Sequence, residues 1–152
     1  VIAPTQSDVR FTCFEGESGL LAVIHKPLID KYNSSDLILT LVNGGWGGNI
    51  TGLSCLDGAD ASENQTTSGY SYKNDVWYRF RIRVTADAVR CWVDDKEVVK
   101  VDVRDRKLST RIQVRESEPL GFATWHTAGM IRKVSLRGLT ATEVAENHVD
   151  EP

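Results

Sequence analysis

The segment VWYRFRIRV, residues 76–84, alternates strictly between two kinds of side chain. One set is apolar or aromatic: Val76, Tyr78, Phe80, Ile82 and Val84. The other set is a tryptophan and three arginines: Trp77, Arg79, Arg81 and Arg83. Successive side chains of a strand point to opposite faces, whereas a helix would spread the arginines around its circumference. The segment therefore predicts a β-strand with one face in a hydrophobic core and a cationic outer face.

The two segments that follow have the same period of two. After a polar break at residues 85–88, VRCWV (89–93) places its apolar residues on one face and Arg90 and Trp92 on the other. A second turn, Asp94-Asp95-Lys96, leads into EVVKVDV (97–103), whose valines again alternate. Short connections between alternating segments are typical of an antiparallel meander. We therefore predict three consecutive strands in one sheet.

Similar segments recur along the chain at the spacing of a β-sandwich. Further strands are predicted at residues 9–15, 20–25, 37–42, 120–126 and 131–139, and only TATEVAEN (140–147) has a helical pattern. The predicted fold class is all-β, a two-sheet antiparallel sandwich. We expect one domain over residues 1–139, followed by an acidic C-terminal tail, residues 140–152, that is frayed and solvated.

The distribution of charge bears on the kind of partner. The net charge is −3, and residues 140–152 contribute −4, so residues 1–139 carry about +1 (−3 minus −4). A nearly neutral body has no broad cationic surface, so we expect no nucleic-acid partner. No apolar run approaches the ~20 residues that cross a bilayer, so no membrane span is expected. The oligomeric state is left open by these patterns.

The three cysteines are Cys13, Cys55 and Cys91. Their number is odd and none belongs to a Cys-x-x-Cys pair, which indicates neither a zinc site nor a disulfide framework. Each is therefore interpreted as a small core residue. One disulfide remains an alternative, and the sequence does not choose its pair.

The most polar loop, DGADASEN, covers residues 57–64. Asp60 and Glu63 are catalytic candidates, because two carboxylates about 5–9.5 Å apart can act as acid and base in glycoside cleavage. Asn64 is a candidate ligand-binding residue, since amides bond to sugar hydroxyls. No cofactor is indicated, although the same oxygens could hold calcium, which takes about 6–8 oxygen ligands. The third interpretation is a structural turn rich in Asp, Gly and Asn.

Two of the four tryptophans are candidate ligand-binding residues. Trp46 sits in GGWGG, residues 44–48, where little neighbouring bulk is available to bury it, and Trp125 follows a predicted strand and precedes a Gly-containing turn. Flat aromatic rings bind the C–H faces of sugars. Trp77 and Trp92 lie on the arginine-bearing faces of their strands, and we interpret them as a cation–π surface.

Histidine is scarce, and His126 is the single catalytic candidate among three. His25 lies in an apolar stretch and His148 in the tail, so a histidine-rich metal site is not expected. His126 lies beside Trp125 near a strand end, where it could act as a general base. A structural histidine is the alternative interpretation.

Three segments of the chain resemble a known family. NGGWGGNITGLSCLDGADASEN (43–64), NDVWYRFRIRVTADAVRCWVDD (74–95) and PLGFATWHTAGMIRKVSLRGL (119–139) are similar to the bacterial 3-keto-disaccharide hydrolase-like domain, of the concanavalin A-like (laminin-G-like) superfamily. The resemblance spans residues 9–139. It implies a jelly-roll sandwich, a secreted or periplasmic location, a carbohydrate partner and glycoside hydrolysis of the 3-keto-disaccharide type.

Two departures from this pattern keep a second function open. Residues 1–35 do not match the usual start of such domains, and the chain lacks the Glu-x-Asp-x-x-Glu strand that supplies nucleophile and acid in laminarinase-type relatives. The alternative function is a non-catalytic carbohydrate-binding or adhesion module of a larger extracellular protein. A purely structural interaction domain is a third alternative, because fold does not fix function.

Overall fold

The computed structural model describes residues 5–13, 19–24, 39–117, 120–125 and 127–150. The helical elements in these ranges are short: a turn α1 (Gly45–Gly48), a 3₁₀ segment (Ile112–Ser117) and α2 (Ala141–Glu146). The strands, in chain order, are β1 (Thr5–Cys13), β2 (Gly19–Ile24), β3 (Leu39–Gly44), β4 (Ile50–Ser54), β5 (Ser68–Gly69), β6 (Trp77–Val84), β7 (Ala88–Val93), β8 (Lys96–Asp102), β9 (Leu120–Trp125) and β10 (Thr127–Leu136).

The strands form two five-stranded antiparallel sheets. Sheet A has the order β10-β1-β6-β7-β8, and sheet B has the order β5-β4-β3-β2-β9. The predicted all-β sandwich and its central meander, β6-β7-β8, are confirmed. The largest errors in the predicted boundaries are at two strand starts: β1 begins at Thr5 instead of residue 9, and β10 begins at Thr127, where a turn was expected. Pairing of β1 with β10 extends both strands, because Cys13 lies opposite Thr127.

The core lies between the sheets and follows the predicted alternation. Tyr78, Phe80, Ile82 and Val84 of β6 are each at most 5% exposed. Val76, which the alternation placed with them, precedes the strand and is 39% exposed. Sheet B and the adjoining loop supply the facing layer of the core: Leu41, Leu53 and Leu56. Full burial of each such side chain stabilises the fold by about 1.5–3 kcal/mol, so this layer fixes how the sheets face each other.

The outer face of sheet A carries the predicted cation–π surface. Three arginines surround the buried Trp92 ring with Cζ at 4.5, 5.4 and 5.1 Å from its centroid: Arg81, Arg83 and Arg90. The guanidinium of Arg132, on β10, lies 3.8 Å from the centre of the Trp77 ring. These contacts confirm the interpretation of both tryptophans as part of an arginine-bearing sheet surface.

The expectation of a frayed tail is wrong for residues 140–147. Thr140 and Glu143 form a capping box at the start of α2. Glu143 and Glu146 pair with Arg83 of β6 at 3.7 and 3.3 Å. Asn147 is fully buried and donates from its side chain to the Ala88 carbonyl oxygen. Acidic residues that were expected to be solvated are thus partners of an arginine on the outer face of sheet A. The domain boundary at residue 139 stays a prediction.

Two of the cysteines have described side chains, and both are free thiols. Cys91 lies in the core and is fully buried, and Cys55 is half-buried. Burial strongly raises the pKa of the Cys91 thiol, as expected for a structural residue. Among the described residues, no helix has the length and apolar character needed to cross a membrane.

Candidate functional site

The candidate site is the outer face of sheet B, which points away from the core. Leu41 of β3 and Leu53 of β4 lie opposite each other and both face the core. Side chains one position away point outward, because neighbours in a strand alternate. The outward set comprises Thr40, Val42, Gly52 and Ser54. Two segments outside the sheet cover part of this face: the loop 57–67 and the 3₁₀ segment.

A small second apolar cluster fastens these segments to the sheet. Val42 packs there with Ala61 of the loop and Val114 of the 3₁₀ segment, and Ala123 of β9 adjoins them. Gly52 allows the closest approach: a Cβ there would lie 3.1 Å from the carbonyl oxygens of both Ala61 and Thr66. The loop therefore packs directly against the backbone of β4, and this contact fixes the position of its polar residues relative to the sheet.

Asn64 stabilises the loop from within. Its Nδ2 lies 2.7, 3.1 and 2.8 Å from the carbonyl oxygens of Leu53, Ala59 and Asp60. Its Oδ1 accepts bonds from the Thr66 backbone N–H and from its hydroxyl, at 2.9 and 2.6 Å. Both ends of the amide are thus engaged by the loop and β4. These contacts favour a scaffolding role, and the ligand-binding role predicted for Asn64 stays a prediction.

Asp60 is the carboxylate that faces the sheet. Its Oδ1 accepts from the Ser54 hydroxyl at 2.5 Å and from the Ala61 N–H at 2.8 Å. Nη1 of Arg111, which precedes the 3₁₀ segment, lies 2.8 Å from Oδ1 and 2.7 Å from Oδ2. The pair is about one quarter exposed, with 26% for Arg111 and 29% for Asp60. The site therefore presents a fixed, partly exposed ion pair.

Trp46 lies over the same ion pair. Its ring centre is 5.5 Å from the Arg111 Cζ, and the residue is 47% exposed. The surrounding glycines explain its position: Gly47 has φ of 86°, and a Cβ on Gly45 would lie 2.9 Å from Val42 Cγ1. The chain therefore turns tightly against Val42 and leaves the indole standing outside the sheet. Sequence reasoning missed Arg111, because its segment has no alternating pattern.

Trp125 lies on the same face of sheet B, two strands away from β3. It follows Ala123, a member of the outer cluster, by two residues, so it projects on the same side, and it is 58% exposed. Trp125 pairs with Gly19 of β2. The next residue of β2, Leu20, pairs with Asn43, which lies just before the turn that carries Trp46. Two strand spacings are about 10 Å. Both exposed tryptophans thus belong to one end of one sheet face.

Of the other two predicted catalytic residues, Glu63 lies within the described part of the chain. Glu63 is exposed, and its backbone N–H donates to the Asp60 carbonyl oxygen at 2.9 Å. His126 lies outside the described residues. Trp46 and Asp60 both contact Arg111, and Trp125 lies on the same face of sheet B. The acid–base pair of Asp60 and Glu63 stays a prediction.

The loop does not present a ready set of metal ligands. Asp57 accepts from the Lys107 N–H at 2.8 Å and pairs with Arg106. The bond from Lys107 and then the Arg106 guanidinium lower the pKa of the Asp57 carboxyl below its ordinary value. Among the described residues, no group of three or more His, Cys, Asp or Glu side chains could hold a metal ion. Asp57 and Asp60 are thus each paired with an arginine.

Comparison with known proteins identifies the family and relates the fold to a solved structure. The model of the 3-keto-alpha-glucoside-1,2-lyase-like domain matches residues 24–137, which is 114 of 152 residues. The carbohydrate-binding module CBM66 from Bacillus subtilis is similar with a TM-score of 0.51 and 8% identity, over 90% of this chain and 75% of that chain. At that identity the likeness shows a shared β-sandwich fold. No curated protein matches the chain significantly. Because the family model covers three quarters of the sequence, the chain belongs to the 3-keto-alpha-glucoside-1,2-lyase-like domain family.

Proposed function

We propose that this domain binds a carbohydrate on the outer face of sheet B, between Trp46 and Trp125. The observation that carries the proposal is the position of the exposed Trp46 ring beside the partly exposed Arg111–Asp60 ion pair on the outer side of sheet B. A sugar ring has an apolar C–H face and a rim of hydroxyls. It is bound best where a flat aromatic surface lies beside fixed donors and acceptors.

The three kinds of group in the site have complementary roles in this proposal. The indoles of Trp46 and Trp125 pack against C–H faces, Asp60 accepts from hydroxyls, and Arg111 donates to them. Because the ion pair is already fixed by Ser54 and the Ala61 N–H, little side-chain entropy is lost on binding. Family membership supports a sugar-directed role, and the fold relative is by its title a carbohydrate-binding module.

A second candidate function is cleavage of the bound sugar, and family membership favours it. The family description names a lyase acting on a 3-keto-α-glucoside. A ketone acidifies the C–H bond on the neighbouring carbon, so elimination needs a base beside that carbon, whereas hydrolysis needs an acid and a base. Asp60, Glu63 and His126 are the candidates for these roles.

Binding is tested by isothermal titration calorimetry with methyl α-glucoside, maltose and methyl 3-keto-α-glucoside as probes. Trp46→Ala and Trp125→Ala should each weaken binding by about tenfold or more, as expected for truncation of a central aromatic contact. Trp77→Ala is the matched control, because Trp77 lies on sheet A against Arg132. Failure of all three probes to bind, or an equal loss in Trp77→Ala, would contradict the proposed site.

Cleavage is tested separately by following methanol release from methyl 3-keto-α-glucoside. If the domain is an enzyme, Asp60→Asn or Glu63→Gln should reduce release by at least about a hundredfold, the usual effect of removing a general acid or base. Both variants must keep the unfolding temperature of a folded protein for this comparison. A parent protein that binds the probe but releases no methanol supports the binding module and excludes this cleavage.

A further inference from the structure

We infer that Arg111 is a positioning residue that fixes the orientation of the Trp46 indole beside the Asp60 ion pair, so that the exposed part of the ring is presented to a bound sugar in one orientation. The sugar part of this inference rests on the proposed function, whereas the contact between the arginine and the indole does not. Arg111 joins a loop, a strand and an exposed aromatic ring.

Arg111 is fixed at several points along its length. Its backbone N–H donates to the Thr40 hydroxyl at 3.2 Å, and its Nε donates to Gln113 Oε1 at 3.2 Å. Its Nη1 reaches both oxygens of Asp60. A planar guanidinium with bonds in different directions cannot rotate without breaking one of them. Its plane is therefore set by the protein before any ligand arrives.

The partner of the guanidinium is fixed as well. Asp60 accepts from the Ser54 hydroxyl and from the Ala61 N–H, and Ser54 belongs to β4 of the sheet. The ion pair is thus tied through Ser54 to one strand and through the Thr40 hydroxyl to its neighbour β3. It forms a rigid bridge across the outer face of sheet B.

The indole of Trp46 meets this bridge on one side. A separation of 5.5 Å between Cζ and the ring centre lies inside the ~6 Å range of cation–π attraction. The residue is 47% exposed, so about half of its surface is open to solvent beside this bridge. The glycines that flank Trp46 have no side chains to hold it, so the contact with the guanidinium contributes to the orientation of the ring.

The inference predicts a specific effect of removing the guanidinium. Arg111→Met keeps the aliphatic stem but removes the cation beside the ring, which frees the ring to reorient. Sugar affinity should fall by at least roughly two- to fivefold, because one exposed cation–π contact corresponds to that factor and a donor to the sugar hydroxyls is lost as well. Arg111→Lys keeps the charge but cannot span both Asp60 and the ring, so it should restore the parent behaviour only in part.

The matched control is Arg106→Met. Arg106 pairs with Asp57 of the same loop and donates to Gln65 at 3.1 Å. Its side chain is 30% exposed, close to the 26% of Arg111. Removing it breaks a comparable ion pair and should disturb the loop to a similar degree, without removing a cation from the Trp46 ring.

The experiment is fluorine NMR of protein labelled with 5-fluorotryptophan, with the Trp46 resonance assigned by its loss in Trp46→Phe. We expect Arg111→Met to shift this resonance and Arg106→Met to leave it in place. An unchanged Trp46 resonance in both Arg111→Met and Arg111→Lys overturns the inference. Calorimetry with methyl α-glucoside gives the fold-change in affinity. If Trp46→Ala binds this probe as the parent does, the proposed function fails while the role of Arg111 stands.

Discussion

Replacing Asn64 by aspartate tests whether the loop 57–67 is held by a single amide. The two side chains have the same shape, and Oδ1 keeps its two donors, the N–H and hydroxyl of Thr66. The change is confined to Nδ2, which now becomes an oxygen facing the carbonyls of Leu53, Ala59 and Asp60. The variant therefore removes donors without creating a cavity.

The magnitude follows from the number of bonds that are lost. An amide nitrogen has two hydrogens, so about two hydrogen bonds of ~1 kcal/mol each disappear, and an additional ~1 kcal/mol arises from carbonyls left facing another acceptor. The expected loss is therefore about 2–4 kcal/mol in the free energy of unfolding. For a domain of this size, each kcal/mol lowers the unfolding temperature by about 2–4 °C. We therefore expect a decrease of about 4–16 °C.

Thermal unfolding followed by circular dichroism, together with urea denaturation, measures this loss. Asn49→Asp is the matched control, because Asn49 is exposed at the end of α1 and the substitution adds the same charge. We expect the control to unfold within about 0.5 kcal/mol of the parent. If Asn64→Asp is as stable as Asn49→Asp, the loop is held by other contacts and the reasoning is refuted.

Three further predictions concern packing, acid and thiol chemistry. Gly52→Ala should lower the free energy of unfolding in urea by about 1–3 kcal/mol, because the new Cβ meets loop carbonyls at 3.1 Å. Gly69→Ala, whose new Cβ has nothing within 4 Å, should be nearly neutral. Equal effects of the two substitutions would contradict the close contact of loop and strand. The pKa of Glu143 is lowered from 4.5 to about 2, chiefly by the hydrogen bond from Arg137. The contribution of Glu143 to α2 docking is therefore complete above pH 4.5 and is lost as the pH falls through about 2. The protection of α2 from hydrogen exchange should fall over the same pH range in the parent and fall less in Glu143→Gln. Identical pH profiles of protection in the two proteins would contradict this role of Glu143. The buried Cys91 thiol should react with a disulfide reagent only when the protein unfolds, and peptide mass mapping identifies the labelled cysteine. Rapid labelling of Cys91 in the native protein would contradict its burial.

Local patterns in the sequence predicted most of the fold. The alternation at Phe80 and Ile82 sets which side of β6 is buried, and the same rule placed Trp92 under arginines on the outer face. Strand ends were less predictable, since β1 and β10 are extended by pairing with each other and not by their own sequences. The docking of α2 was missed because it depends on partners more than 55 residues away, such as Arg90 with Glu146.

The candidate site was predictable only in part, for a similar reason. Trp46 was singled out by the glycines around it, and Asp60 by the polarity of its loop. Arg111 could not be found from the sequence, because a separation of 51 residues from Asp60 leaves no local signal. Asn64 was singled out by residue type alone, which does not distinguish an amide that binds a ligand from one that caps a loop.

The central claim is that sugar binds to the outer face of sheet B, and the indole N–H signals of the four tryptophans test it most directly. Two of them, Trp46 and Trp125, lie on that face, whereas Trp77 and Trp92 lie on the opposite side of the molecule on sheet A. During titration with methyl 3-keto-α-glucoside, we expect the signals of Trp46 and Trp125 to shift with one shared dissociation constant, while those of Trp77 and Trp92 stay in place. Shifts confined to Trp77 and Trp92, or no saturable shift of any indole, would contradict the account.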